Sequence, residues 1–149
     1  MFFGSVRENL KLGAPLATDQ EILEALKITG ALDFVQEKKE GLDHQVLEGG
    51  AGFSGGQRQA LLLARLLLRQ PSIVLLDEPT ASLDDVSEQQ LIKQLKGWLG
   101  QKTLVIATHR RAVLELVDRI IVLHDGKIVM DGPKEQILQQ STSNQAGAA

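Results

Sequence analysis

Apolar residues recur at helical spacing through the first part of this chain, and the short apolar runs that read as buried strands come after residue 71. Ser5 with Glu8, and Thr18 with Glu21, have the Ser/Thr-x-x-Glu spacing in which each side chain satisfies an exposed backbone N–H of a first helical turn, so two short helices are predicted. Ile22, Leu23, Leu26 and Ile28 give the second an apolar stripe, Gly30 is its stop, and a further short helix is expected over Leu32 to Val35. After the loop Gly49-Gly50-Ala51-Gly52, Ser54 and Gln57 form a third such box. It opens a helix that runs to about Arg69, where Pro71 forbids continuation. Leucines lie nearly all around this helix, which predicts that it is largely buried.

Ile73-Val74-Leu75-Leu76, ending in Asp77-Glu78-Pro79, predicts a strand covered on both faces, as in parallel sheets. A helix from about Asp85 to Trp98 has Leu91, Ile92, Leu95 and Leu99 on one side, and Leu104 to Ala107 is a second buried strand ending at Thr108-His109. Helix is expected over Val113 to Val117. Ile120 to Leu123 and Lys127 to Met130 should pair across Asp125-Gly126, a dipeptide that tolerates the positive φ of a tight hairpin. A last short helix is expected over Lys134 to Leu138, and the small polar residues 141–149 read as a disordered tail. The order of elements gives an α/β fold, with a helical subdomain over 1–70 in front of an α/β layer over 71–140.

Composition narrows the chemistry. Sixteen basic and nineteen acidic residues give a net charge of -3, and the basic residues are scattered rather than gathered in a stripe, so no nucleic acid partner is implied. Without cysteine there is no disulfide framework or thiolate nucleophile, and any metal is bound by oxygen or imidazole. The N-terminus has neither the basic start nor the apolar stretch of a secretory signal and reads as the interior of a longer protein. The longest apolar stretch, Ala60 to Leu68, is broken by Arg65 and falls short of the roughly 20 residues that cross a bilayer.

Two segments carry candidate chemistry. In open parallel sheets ligands bind beyond the carboxyl ends of the strands, where Asp77 and Glu78 are expected. One carboxylate there can hold Mg²⁺, directly or through water, while the other orients a water for attack on a phosphoryl group; a charged turn is the plainer alternative. The second segment is Gly52-Phe53-Ser54-Gly55-Gly56-Gln57-Arg58-Gln59 at a helix start, where exposed N–H groups favour an anion and the glycines admit a phosphate close to the backbone. Ser54 there either caps the helix or turns its hydroxyl to a phosphate oxygen.

Together these segments resemble the ABC ATPase family. Phe53-Ser54-Gly55-Gly56-Gln57 resembles its signature motif, with Phe where Leu is usual. Ile73 to Glu78 resembles its Walker B strand, Asp77 to Asp84 continues into its D-loop, and Thr108-His109-Arg110 resembles its switch-histidine loop. The resemblance covers Phe2 to about Leu138 and implies part of a P-loop NTPase fold, a mainly parallel sheet core with a helical signature subdomain. It further implies that Asp77 helps position Mg²⁺, that Glu78 acts on the attacking water, and that His109 contacts the γ-phosphate of ATP. Ser54, Gly55, Gly56 and Gln57 would reach the nucleotide of a second nucleotide-binding domain in a head-to-tail dimer, with Asp84 coupling the two sites. His44 and His124 are read as structural.

Phe2 to Leu10 and Val46-Leu47-Glu48-Gly49-Gly50 resemble exporter segments, the latter a loop that touches the transmembrane domain; Glu48 matches its acidic residue, although Leu47 replaces a common glycine. With Gly50-Ala51-Gly52 before the signature, this is similar to ATPases of type I secretion, which implies the cytoplasmic face of a membrane. The phosphate-binding sequence Gly-x-x-x-x-Gly-Lys-Ser/Thr does not occur, so the expected activity is that of an ATPase fragment, inactive alone. The competing readings are a non-catalytic interaction module and an ABC ATPase working on DNA or ribosomes.

Overall fold

The computed structural model describes the backbone of residues 1–146 and the side chains of residues 1–140. It forms two compact units, Met1–His109 and Arg110–Ala149, so the expected helical part and the 73–107 strands fall within one unit.

In the first unit, helices α1 (Val6–Lys11), α2 (Asp19–Ile28) and α4 (Gly55–Arg69) begin at Ser5, Thr18 and Ser54. Each start has both halves of the capping box: the hydroxyl accepts from the backbone N–H three residues on, and that residue's side chain accepts from the cap's own N–H. Helix α3 spans Leu32–Gln36 and α5 spans Asp85–Leu99. Helices α1 and α2 pack on α4. Ile22, Leu26, Leu61, Leu67, Leu91, Ile92 and Leu95 form the core, and Leu62 is the one leucine of α4 left clearly exposed. Helix α4 ends with Gln70 in the left-handed region at φ 50, followed by Pro71, as the stop signal required. Residues Gly4–Ser5 (β1) pair antiparallel with Gln45–Val46 (β2), a short ladder the sequence pattern did not announce.

Strands β3 (Ile73–Asp77) and β4 (Thr103–Ala107) pair in parallel, with Val74 opposite Leu104 and Asp77 opposite Ala107. The expectation that both faces are covered is corrected. Val74 is buried and Leu76, Leu104 and Ile106 are half-buried, but Ile73, Leu75 and Val105 are 61%, 71% and 57% exposed. Side chains alternate along a strand, so one face of this pair packs inward and the other, carrying Asp77, is bare.

In the second unit, residues Arg111–Leu116 form a 3₁₀ helix, which overlaps the helix expected over Val113 to Val117. Strands β5 (Arg119–His124) and β6 (Lys127–Pro133) make the predicted hairpin, with Asp125 and Gly126 at φ 47 and 72. Helix α6 runs Lys134–Ala146, beyond the expected end at Leu138 and into the segment read as a disordered tail; 147–149 lie outside the described residues.

Candidate functional site

The parallel register of β3 and β4 brings two ends of chain side by side. Asp77 ends β3 and Ala107 ends β4, after which the ladder gains one more bond, from the Glu78 N–H to the Ala107 carbonyl at 2.9 Å. Glu78 then leaves the strand conformation, with φ at 44 in the left-handed region. A side chain other than glycine occupies that region at a cost in free energy, and surrounding bonds must hold it there. The result is that the Glu78 carboxylate lies against the end of β4. Thr108 Oγ1 donates to one oxygen at 3.2 Å, while the other accepts from the His109 backbone N–H at 3.2 Å and lies 2.7 Å from His109 Nδ1.

The hydrogen bond from the His109 ring, opposed by partial desolvation and aided by the charge of His109 and by Thr108, holds the Glu78 carboxyl below the usual range. Being ionised, Glu78 only accepts, so Nδ1 carries the proton of that bond and Nε2 is not used in it, on a side chain that is 78% exposed. Glu78 and His109 are therefore in direct contact, while Asp77 stands one residue away on the bare face with Ile73 and Leu75.

The N-terminal end of α4 approaches the same loop. Gln59 Nε2 donates to the Glu78 carbonyl at 2.9 Å, and a Cβ added at Gly56 would lie 3.4 Å from the Ser82 carbonyl oxygen. Ser54 and Gly55 are exposed at the helix start. Ser54 Oγ accepts from the Gln57 N–H at 3.1 Å, and Gln57 Oε1 accepts from the Ser54 N–H at 3.0 Å. The Ser54 hydroxyl proton is not used in this box and can still be offered to an anion. Just before them Phe53 is buried. Its ring meets Phe34 and His44 edge-on at 6.0 and 5.9 Å, with Lys38 Nζ 5.5 Å from its centre. Phe53 thus plugs the core in front of the exposed Ser54-Gly55.

Asp84 is the cap of α5, accepting the N–H and hydroxyl of Ser87, each at 2.9 Å; these bonds depress its pKa. Glu48 is exposed at the start of a 3₁₀ turn, Glu48–Gly50. Neither shares in the Glu78–His109 contact. His44 pairs with Glu40 at 3.1 Å and His124 lies 3.5 Å from Asp125, both outside the site. A cleft of about 490 Å³ lined by Leu16, Glu21, Ile28, Arg69 and Trp98 also holds none of these residues. Gln59 and Ser82 lie inside the candidate segments named from the sequence, but nothing in the sequence reading gave either a role of its own. The signal for Gln59 was its spacing, four residues from Gly55 and three from Gly56, which puts it on their face of the helix.

Among the described residues no three His, Asp or Glu side chains gather into a metal cage. Mg²⁺ is held through one or two carboxylates and keeps water and phosphate oxygens as its other ligands. Asp77 and Glu78 supply oxygen donors of that kind at the strand tip, so the donor set fits an Mg-nucleotide.

A family profile described as ABC transporter matches residues 3–81. The chain is 39% identical over 138 residues to an uncharacterized ABC transporter ATP-binding protein, YknV, of Bacillus subtilis, covering 93% of this chain and 23% of that protein. It is also 39% identical over 137 residues to the leukotoxin translocation ATP-binding protein LktB of Mannheimia glucosida, covering 92% and 19%. Among solved structures it is similar to a bacterial Atm1-family ABC exporter with ATP bound, at a TM-score of 0.85 and 29% identity, covering 95% of this chain and 25% of that one. The chain therefore spans between 19% and 23% of the length of these two curated relatives.

Proposed function

The chain belongs to the ABC transporter family, in the company of ATP-binding proteins and exporters, and from that premise we propose that it is the rear part of an ATPase domain that couples ATP hydrolysis to export. Most support comes from the 2.7 Å approach of Glu78 and His109 at the tips of adjacent parallel strands. In this reading Asp77 gives a carboxylate to Mg²⁺, which when bound neutralises charge on the phosphate oxygens. Glu78 orients the attacking water and accepts its proton, a contribution of roughly 10²–10⁴ in rate for a well-placed general base. His109 holds the Glu78 carboxylate through Nδ1 and presents Nε2 to the terminal phosphate.

Ser54, Gly55, Gly56 and Gln57 serve a different nucleotide, that of a second nucleotide-binding domain in a head-to-tail dimer. The N–H groups and dipole of α4 favour an anion there, and the free Ser54 proton adds a donor. Asp84, at the start of α5, links the two sites, and Glu48 lies on the loop that meets a transmembrane domain. Among the described residues no helix is long and apolar enough to cross a membrane. The proposed work is done at the cytoplasmic face beneath a membrane-spanning partner or segment, a reading supported by the likeness to exporters. The LktB likeness favours a type I secretion role within the exporters.

The phosphate-binding loop is not in this sequence, so the chain on its own should show no saturable Mg-ATP binding at micromolar concentrations; micromolar affinity by calorimetry would overturn that part. For the activity, residues 1–140 replace the matching segment of LktB, and ATPase rate and leukotoxin secretion are measured. We expect both to survive in the chimera, and Glu78→Gln to lower the ATPase rate by roughly 10²-fold or more while leaving the fold intact. A folded chimera that hydrolyses ATP equally well with Glu78→Gln removes Glu78 from the chemistry.

A further inference from the structure

Gln59 lies beyond the five residues that resemble the signature motif, yet it is tied to the carboxylate end of β3. Two bonds pin the peptides on either side of Glu78. Its N–H is held by the Ala107 carbonyl and its carbonyl accepts from Gln59 Nε2, both at 2.9 Å. Between these bonds sits a non-glycine residue at φ 44, immediately before Pro79, whose ring restricts the residue ahead of it. Left to alternate as a strand, Glu78 would project to the face opposite Asp77. Held as it is, its carboxylate reaches Thr108 Oγ1, the His109 N–H and His109 Nδ1. The same end of α4 touches the loop a second time, where the backbone of Ser82 closes on Gly56.

We propose that Gln59 is a positioning residue: its amide fastens the N-terminal end of α4 to the backbone of Glu78, so that this end sets where the Glu78 carboxylate points. A displacement of the α4 start is thereby delivered to Glu78 and, through it, to His109. The consequence for hydrolysis rests on the proposed role of Glu78; the mechanical tie does not.

The test separates the two. Gln59→Met keeps the length of the side chain and removes the donor, while Gln59→Lys keeps a donor. Native-state hydrogen exchange is followed on the chain itself, with no nucleotide. In Gln59→Met the Glu78 and His109 amides should exchange roughly tenfold faster, the scale of one net hydrogen bond, while the amides of β3, β4 and the rest of α4 keep their protection. Gln59→Lys should restore the slow exchange. Unchanged Glu78 and His109 exchange in Gln59→Met, an equal speeding of every slow amide, or failure of Gln59→Lys to restore protection each overturns the proposal. In the LktB chimera Gln59→Met should lower kcat with little change in KM, and Gln59→Lys should recover it. If the exchange result holds and the chimera lacks Glu78-dependent hydrolysis, the tie stands and the ATPase reading falls.

Discussion

Single residues in this chain are constrained by backbone geometry and by local charge in ways that can be measured separately. Gly50, at φ 80, is the tightest position: an added Cβ would meet Arg58 Cδ at 2.6 Å. Arg58 is not free to swing away without loss, since its Nη1 donates to the Phe53 carbonyl at 2.8 Å. Gly50→Ala should therefore destabilise the protein by about 1–3 kcal/mol, read as a lower urea midpoint with unchanged m-value. Arg7 shows the electrostatic side. It bonds Asp43 at 2.9 Å and pairs with Asp19, which raises its own pKa and holds the Asp43 carboxyl below the usual range. A depressed carboxyl stabilises the fold above its unfolded pKa, and that contribution is lost as pH falls through the lower, folded value. Stability should thus decline on acidification below the ordinary carboxylate range. Arg7→Gln should flatten that decline in urea titrations run at successive pH values, and an unaltered slope would show that the pair is screened out by solvent.

At the scale of the element, helices here are set by two separable contributions, their ends and their buried faces. Thr18 caps α2 at an exposed position, accepting from the Glu21 N–H at 3.3 Å, so Thr18→Ala tests the cap with little loss of packing. It should cost about 1 kcal/mol. Leu61 in α4 is fully buried, and Leu61→Ala should cost about 2–5 kcal/mol through lost transfer energy and the cavity left behind. If the two substitutions cost the same in a denaturant series, the burial assigned to the centre of α4 is wrong. Three of the four longer helix starts in the first unit were legible from Ser or Thr followed three residues later by Glu or Gln, because a capping box is a contact within one turn. The fourth, at Asp84, uses the same bond to Ser87 without the reciprocal partner.

For the molecule as a whole, the distinctive feature is the bare apolar face of β3 and β4. A two-stranded parallel pair leaves Ile73, Leu75 and Val105 in water, and both of its strands are edges among the described residues. The purified chain should self-associate in a concentration-dependent way by sedimentation velocity. Leu75→Lys together with Val105→Lys should shift it towards monomer without loss of helix signal, since neither side chain contributes to the core. A chain that stays monomeric at all concentrations would show that this face is of no consequence in solution. In the proposed setting, the segments of a longer ATPase domain would cover it.

Reading the residues in order was enough to locate the three capping boxes, the strand runs at 73–76 and 104–107, the Asp125-Gly126 hairpin and the motif resemblance, because each depends on neighbours within a few positions. What the fold alone decided lies between residues far apart in the chain. The pairing of Gly4–Ser5 with Gln45–Val46, the bond from Gln59 to Glu78, and the left-handed turn that carries Glu78 onto His109 all depend on which elements the core brings together. Periodicity reports that a strand is apolar, not whether a neighbour covers it. That some apolar surface is left uncovered follows from the family segments this sequence lacks, but which face of β3 and β4 is bare could be seen only when every other element had found its place.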